Sequence, residues 1–229
     1  MSQKVKKEWV EDMFNHIAPT YDLSNSLFSF GIDNYWRRVL VKEIVKSEPL
    51  EILDIATGTG KLANILFLKT NAKVTGVDIS ENMLKIAAAK FKNIDFKIAD
   101  GQNLPYEQES FNAVTIAFGI RNFENPEIGL QESYRVLKNN GIIAILEFSK
   151  TKRNIWGLFF NFYFKNIIPF LGKIISKHKT AYKYLNSSAT AFYSGNEMIK
   201  LIEKVNFKEV KQKSLTGGIA TIYIGYKKI

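Results

Sequence analysis

From Glu51 onward the chain alternates short strand-like runs with helical ones, and this alternation limits the fold more than any other feature. Residues 52–55, 73–77, 95–98, 113–117 and 141–148 read as strands, and residues 61–69, 80–91 and 126–137 read as helices. Strands that alternate with helices build a parallel sheet covered on both faces. After a helix at 196–205 the pattern changes. Residues 208–214 and 220–226 are strand-like and are joined by Leu215-Thr216-Gly217-Gly218, which makes a hairpin. The expected fold is α/β, with a Rossmann-like seven-stranded sheet that ends in a C-terminal antiparallel hairpin.

A chain of 229 residues suits one large domain. Within it, residues 1–47 read as an N-terminal helical flap, because Trp9-Val10, Met13-Phe14 and Ile17 fall at helical spacing. A turn-rich stretch around 19–31 and a helix at 34–45 complete the flap. Residues 48–150 are the cofactor-binding core, 151–195 an inserted basic aromatic cap, and 196–229 the terminal helix and hairpin. No sequence repeat or low-complexity linker divides them. The chain has no cysteine, which excludes disulfides, thiolate metal sites and a cysteine nucleophile. No apolar run follows the basic start, so no secretory signal is read and a cytoplasmic location is expected.

The net charge of +10 is unevenly spread. Between Glu147 and Glu197 there is no acidic residue, while Lys150, Lys152, Arg153, Lys165, Lys173, Lys177, Lys179 and Lys183 all lie there. The same stretch holds a dense aromatic and apolar run at 155–171. Asn161, Lys165, Asn166, Pro169 and Lys173 interrupt it, so it falls short of the ~20 apolar residues of a membrane span. Two readings stand side by side. One is a cap helix packed on the core. The other is a basic face resting on an anionic membrane, where each Lys or Arg adds ~1 kcal/mol. A nucleic-acid groove ranks behind both, because phosphate binding does not need such aromatic density.

The first strand runs into Asp54-Ile55-Ala56-Thr57-Gly58-Thr59-Gly60-Lys61, a strand, a glycine turn and a helix start. The loop Gly58-Thr59-Gly60 allows close approach of a ligand to the backbone. Asp78 ends the second strand, eighteen residues after Gly60, where a carboxylate can accept bonds from both hydroxyls of a ribose. Asp100-Gly101 ends the third, at the edge where open sheets bind ligands. The glycine spacing also fits a dinucleotide fingerprint. Asp54 at the mouth of the loop would repel a pyrophosphate, and a terminal hairpin is foreign to that fold. A cationic nucleotide without phosphate, S-adenosylmethionine, suits the acids better. Structural alternatives are a helix N-cap shared with Ser80 for Asp78, and a satisfied strand-end acid for Asp54.

Longer motifs extend the pattern. These are Phe14-Asn15-His16-Ile17-Ala18-Pro19-Thr20-Tyr21-Asp22-Leu23-Ser24-Asn25, Trp36-Arg37-Arg38, Phe118-Gly119-Ile120-Arg121-Asn122, Leu146-Glu147-Phe148-Ser149-Lys150 and Leu215-Thr216-Gly217-Gly218. Together they resemble the ubiquinone/menaquinone biosynthesis C-methyltransferases from about Trp9 to Lys227. Thr57 stands where that family often has glycine, Asn139-Asn140 where it has a Pro-Gly turn, and Asn15 where Asp is common. The resemblance implies methyl transfer from S-adenosylmethionine to a ring carbon of a prenylated quinol. The quinol is reduced demethylmenaquinone in one branch and a methoxylated benzoquinol in the other.

Such chemistry needs the quinol as phenolate, aligned in line with the methyl group and shielded from water. On this resemblance Arg121 holds the phenolate, Asn122 orients the ring or a water, and Tyr21 bonds the quinol oxygen from the flap. Packing of the flap is the alternative for Tyr21, and an ion pair with Glu124 or Glu147 the alternative for Arg121. Tyr182, Tyr184 and Ser188 are further candidates for the quinone pocket. His16 and His178 are read as surface residues. The cofactor brings its own leaving group, so no metal is expected. The expected partners are the quinol and, peripherally, the inner membrane face. Nucleic acid is not expected, and a homodimer stays open. A nucleic-acid methyltransferase would need an Asn/Asp-Pro-Pro-aromatic motif where Ala117-Phe118-Gly119-Ile120 stands, or a cysteine. A non-catalytic cofactor-binding scaffold and a lipid or sterol methyltransferase are the remaining rivals.

Overall fold

Side-chain alternation decides how the sheet is covered. Strand β5 (Leu137–Phe148) turns Ile142, Ala144 and Leu146 to one face and Ile143 and Ile145 to the other. Strands β1 (Glu51–Ile55), β2 (Lys73–Asp78) and β4 (Phe111–Ala117) divide their apolar residues in the same way. One face is covered by helices α2 (Ile32–Val45) and α3 (Lys61–Lys69) through Trp36, Leu40, Ile44, Leu62 and Leu66. The other is covered by α5 (Pro126–Val136) and α6 (Asn196–Lys204) through Leu130, Val136, Met198 and Ile202.

The computed structural model describes residues 6–29, 31–149, 184, 187–189 and 191–228. The cap segment at 155–171, His178 and Tyr182 lie outside the described residues. With β3 (Asp95–Ile98), β6 (Lys208–Leu215) and β7 (Ala220–Tyr226), the sheet has seven strands in the order β3-β2-β1-β4-β5-β7-β6. The first five are parallel, and β7 runs antiparallel to both β5 and β6. The expected fold class, including the antiparallel ending, is what the structure has. Exposed Lys208, Lys211 and Lys213 on the edge strand β6 discourage pairing with another sheet. The hairpin turn is pinned to α2, because Trp36 Nε1 donates to Thr216 Oγ1 at 2.8 Å. Among the described residues no helix is long and apolar enough to cross a membrane.

Two local expectations are corrected. The Asn139-Asn140 turn is absorbed into β5, where Asn140 takes a φ of 61° and the pairing with β4 slips between Phe111 and Ala113. Asparagine tolerates this left-handed backbone better than most residues. The turn-rich stretch around 19–31 is largely helix. Helix α1 runs from Lys7 to Ser29, passing straight through Pro19, and is about 35 Å long.

A proline inside a helix normally costs about 3 kcal/mol, because it cannot donate to the carbonyl four residues back. Here that carbonyl is Asn15 O, and Asn82 Nδ2 donates to it at 3.1 Å. The Asn15 side chain completes the joint, its Oδ1 accepting from Ser80 Oγ at 2.7 Å and Asn82 N at 3.1 Å. Helix α4 (Glu81–Lys90) thus takes up the group that Pro19 leaves free, while Met13, Ile17 and Ala18 pack on its Met83. The break in α1 bonding becomes its point of docking.

Candidate active site

The strand order reverses between β1 and β4, and open α/β sheets bind ligands outside the carboxyl ends of the strands at such a point. A cleft opens there, lined by the ends of β2 and β4, by the turns after β1 and β3, and by α1. Of the ten residues expected at the site, six line it: Tyr21, Gly58, Asp78, Asp100, Gly101 and Asn122. They arrive from α1, from the turns after β1 and β3, from the last residue of β2, and from the short 3-10 helix Ile120–Asn122 after β4.

Gly58 is the hinge of this edge. Its φ of 57° is a left-handed value, and a Cβ added there would meet nothing within 4 Å. Its N–H donates to Asp78 Oδ2 at 2.8 Å, while Ser80 N donates to Asp78 Oδ1 at 2.9 Å. The same Ser80 caps α4 by accepting from Met83 N. Asp78 therefore ties the glycine turn to the α4 terminus and still faces the cleft. Its carboxyl is raised above the ordinary range by burial, which outweighs the bonds from Ser80 and Gly58. At the next strand end, Asp100 accepts from Gln102 N at 2.9 Å and pairs with Lys7 of α1 at 3.0 Å. Gly119 closes the floor: a Cβ there would stand 2.4 Å from Ala56 Cβ, so only glycine lets the β1 and β4 ends approach.

The other four expected residues are not among the cleft-lining ones. Thr59 Oγ1 donates to Asp22 Oδ1 at 2.7 Å, which latches α1 onto the glycine loop. Gly60 backs onto Phe91 and Phe96, and a Cβ there would meet Phe96 at 2.9 Å. Asp54 lies beneath the loop rather than at its mouth, correcting its expected place. Its oxygens accept from Thr57 Oγ1 at 2.6 Å and Thr115 Oγ1 at 2.7 Å. Buried there, Asp54 would not repel a pyrophosphate, and the antiparallel β7 alone sets this sheet apart from a dinucleotide-binding one. Thr57, a departure from the family pattern, is thereby built into the loop support.

Burial raises the Asp54 carboxyl from 3.8 to about 6, against the bonds from Thr57 and Thr115. A carboxyl held higher in the folded state contributes stability that is fully present below its unfolded pKa. That stability is lost as pH rises through the folded value. The loss between 3.8 and about 6 is on the order of 3 kcal/mol. Asp54→Asn cannot ionise, so its stability relative to the native protein should rise by about that amount from pH ~4 to pH ~7. Urea unfolding at the two pH values measures it, and parallel pH dependences for the two proteins would contradict the burial of an ionised Asp54.

Arg121 is the second correction. Instead of facing the cleft it is buried and joined to Glu147, with Nη1 2.7 Å from Oε1. The same Nη1 donates to Phe118 O at 2.6 Å, and the guanidinium lies 5.5 Å from the Phe148 ring centroid. Its charge still reaches the cleft, because it acts on the phenols of Tyr21 and Tyr184. Burial raises the Tyr21 phenol above its ordinary value, and Arg121, Asn25 and Arg37 oppose the rise. Tyr184 donates to Asn122 Oδ1 at 3.1 Å. His16 is exposed on α1, bonded to Asp12, as read. Ser188 is not among the cleft-lining residues.

The remaining wall was not anticipated as a wall. Lys7, Val10 and Phe14 of α1 line the cleft with Tyr21, and these four positions share one helical face. Their spacing was the available signal. The span from 19 to 31, misread as turns, hid that they belong to one continuous helix. Ile79 and Gln102 line it because they come one residue after Asp78 and two after Asp100.

This sheet order, with an acid at the end of β2 bonded to a glycine turn, is the architecture of S-adenosylmethionine-dependent methyltransferases. A Thermotoga maritima structure described as such an enzyme, possibly a histamine N-methyltransferase, superposes with a TM-score of 0.71 at 24% identity, over 96% of this chain and 100% of that one. The Haemonchus contortus phosphoethanolamine N-methyltransferase 2 bound to S-adenosyl-L-methionine matches at 0.59 and 15% identity, over 79% of this chain and 49% of that one. These show the fold. The family is shown by sequence: the model of the ubiE/COQ5 methyltransferase family matches residues 2–227, and the chain belongs to that family. It is an S-adenosylmethionine-dependent methyltransferase. Among its relatives, the demethylmenaquinone methyltransferase of Porphyromonas gingivalis is 41% identical, over 97% of this chain and 94% of its own length. The ubiquinone/menaquinone biosynthesis C-methyltransferase UbiE of Geotalea uraniireducens is also 41% identical, over 97% of each chain.

Proposed function

We propose that the enzyme methylates a ring carbon of a prenylated quinol, with reduced demethylmenaquinone as substrate. The carrying observation is the composition of the cleft. Acids from two strand ends, Asp78 and Asp100, share it with Phe14, Tyr21, Phe118 and Phe123. The names of the relatives support the branch.

The donor set fits the sulfonium cofactor. Asp78 accepts backbone N–H groups at both oxygens, and a carboxylate's roughly four lone-pair sites leave room for a ribose hydroxyl, while the two acids favour a cation. Asp78, Gly58, Asp100 and Gly101 would hold it. The bound cofactor supplies a methyl carbon on a cationic sulfur that departs with the bonding pair. The chain does the rest. Tyr21 and Asn122 orient the ring oxygen, and α1 closes over the ring and excludes water. Arg121 supplies a fixed positive charge behind them, which stabilises the phenolate in a site of low dielectric.

A polyprenyl tail keeps the substrate in a bilayer, and the aromatic run 155–171 with the lysines in and around it is read as a peripheral contact with it. The test is transfer of label from S-adenosylmethionine to reduced demethylmenaquinone in anionic vesicles, beside the methoxylated benzoquinol and RNA. Label is expected on the naphthoquinol, and label on neither quinol overturns the reading. Neutralising Lys165, Lys173 and Lys177 should cut vesicle activity several-fold at low salt, and unchanged activity would remove the membrane contact.

A further inference from the structure

Asn122 lines the cleft, and its side-chain amide can offer a ligand one of two opposite groups: an oxygen that accepts or an N–H that donates. Two neighbours settle which. Tyr184, which is not among the cleft-lining residues, donates its hydroxyl to Asn122 Oδ1 at 3.1 Å. On the other side, Asn122 Nδ2 lies 3.5 Å from Phe118 O, a carbonyl that can only accept. A turned amide would face that carbonyl with its own oxygen, so both neighbours favour the same orientation.

Both neighbours are themselves held. Phe118 has a φ of 58°, a left-handed value unusual for a bulky residue, and backbone strain of this kind collects at functional sites. Its carbonyl accepts from Arg121 Nη1 at 2.6 Å as well as facing Asn122. The Tyr184 ring stands edge-on to Trp9 of α1, with ring centroids 4.8 Å apart, and the Ser188 side chain bonds the Tyr184 hydroxyl. Burial raises the Tyr184 phenol above its ordinary value, against the charge of Arg121, so its proton stays available to donate. With Oδ1 engaged and one Nδ2 hydrogen turned to Phe118 O, the second Nδ2 hydrogen is left for a ligand in the cleft. A donor there suits an anionic oxygen, whereas an amide oxygen would repel it.

We propose that Tyr184 is a positioning residue: it fixes the Asn122 amide so that an N–H, and not the carbonyl oxygen, meets the quinol oxygen as it becomes a phenolate. This inference rests on the quinol reading above and adds the residue that makes the site select an anion. Tyr184 acts through Asn122 and touches no substrate. Trp9 extends the coupling to α1, because a seated α1 backs the Tyr184 ring.

The test uses Tyr184→Phe, Asn122→Ala and the double variant in full-length form. Tyr184→Phe keeps the ring against Trp9 and should leave the affinity for S-adenosylmethionine unchanged in titration calorimetry. With reduced demethylmenaquinone it should lower kcat about tenfold at little change in KM, the scale of a lost hydrogen bond and an acceptor left unmade. In the Asn122→Ala background the same change should cost no more than about twofold, because the amide it positions is gone. Equal losses in the two backgrounds overturn the proposal.

A second readout needs no turnover. A hydroxynaphthoquinone that is an anion at neutral pH should bind the native enzyme more tightly than its neutral methyl ether. Tyr184→Phe should erase about tenfold of that preference and leave the affinity of the ether in place. No preference in the native enzyme, an unchanged preference in Tyr184→Phe, or both ligands weakened alike would reduce Tyr184 to packing. Loss of cofactor binding in Tyr184→Phe would also overturn the proposal, by placing the hydroxyl in support of the cofactor half. A native enzyme that prefers the anion yet methylates no quinol defeats the underlying reading instead, so the two failures are distinguishable.

Discussion

Asp78→Ala should lower the affinity for S-adenosylmethionine by at least about 100-fold in titration calorimetry. Two losses combine. The carboxylate can accept from two ribose hydroxyls, and hydrogen bonds to a charged group are worth about 1.5–3 kcal/mol each. The same carboxylate holds Gly58 N at 2.8 Å and Ser80 N at 2.9 Å, so its removal also frees the glycine turn that forms one cleft wall. Together these reach about 3–6 kcal/mol, or roughly two to four powers of ten in affinity. Asp78→Asn keeps one acceptor oxygen and should fall between the two. Ser80 still caps α4 through Met83 N, so the unfolding midpoint should move far less than the affinity. An Asp78→Ala protein that binds within tenfold of native would remove Asp78 from the cofactor site.

The second large effect is on stability. Arg121→Met strands a buried carboxylate, and Glu147→Leu strands a buried guanidinium, in a pair whose side chains are almost wholly enclosed. Each single change should cost about 3–5 kcal/mol in urea unfolding. The double variant removes both charges together and puts apolar groups in their place. It should recover most of the loss, because the desolvation penalty of the pair offsets much of its attraction. Methyl transfer should stay abolished in all three. The combination of restored stability without activity separates what the pair does for folding from what it does for chemistry. A double variant as unstable as the sum of the singles would mean that the two side chains are supported by separate neighbours.

Much of the fold was legible because its signals are local. The strand-like runs at 73–77 and 95–98 and the helix at 61–69 follow from periodicity and β-branched content, and the structure has β2 at Lys73–Asp78, β3 at Asp95–Ile98 and α3 at Lys61–Lys69. Asp78, Asp100 and Gly101 were legible as cleft residues because a strand end in a parallel sheet has only one place to go. The roles of Asp54 and Arg121 were not. Asp54 was legible as a strand-end acid, yet only the packed sheet shows that Thr115, 61 residues away, takes one of its oxygens. For Arg121, an ion pair with Glu147 stood among the alternatives from the start, and the register of β4 against β5 made it the outcome. Pro19 argued for a turn on local grounds, and the side chain of Asn82, 67 residues beyond Asn15, overrode it.

The amino-acid order by itself thus determined the layered sheet, its antiparallel ending, the glycine turn, the acids around it and the family motifs. Periods of two and 3.6 residues and strand-end positions are written along one chain segment at a time. Only the tertiary structure decided which polar groups meet ligand and which meet each other. That choice depends on contacts between segments tens of residues apart, where a buried carboxylate or carbonyl takes whichever donor the packed sheet and helices bring within hydrogen-bonding distance.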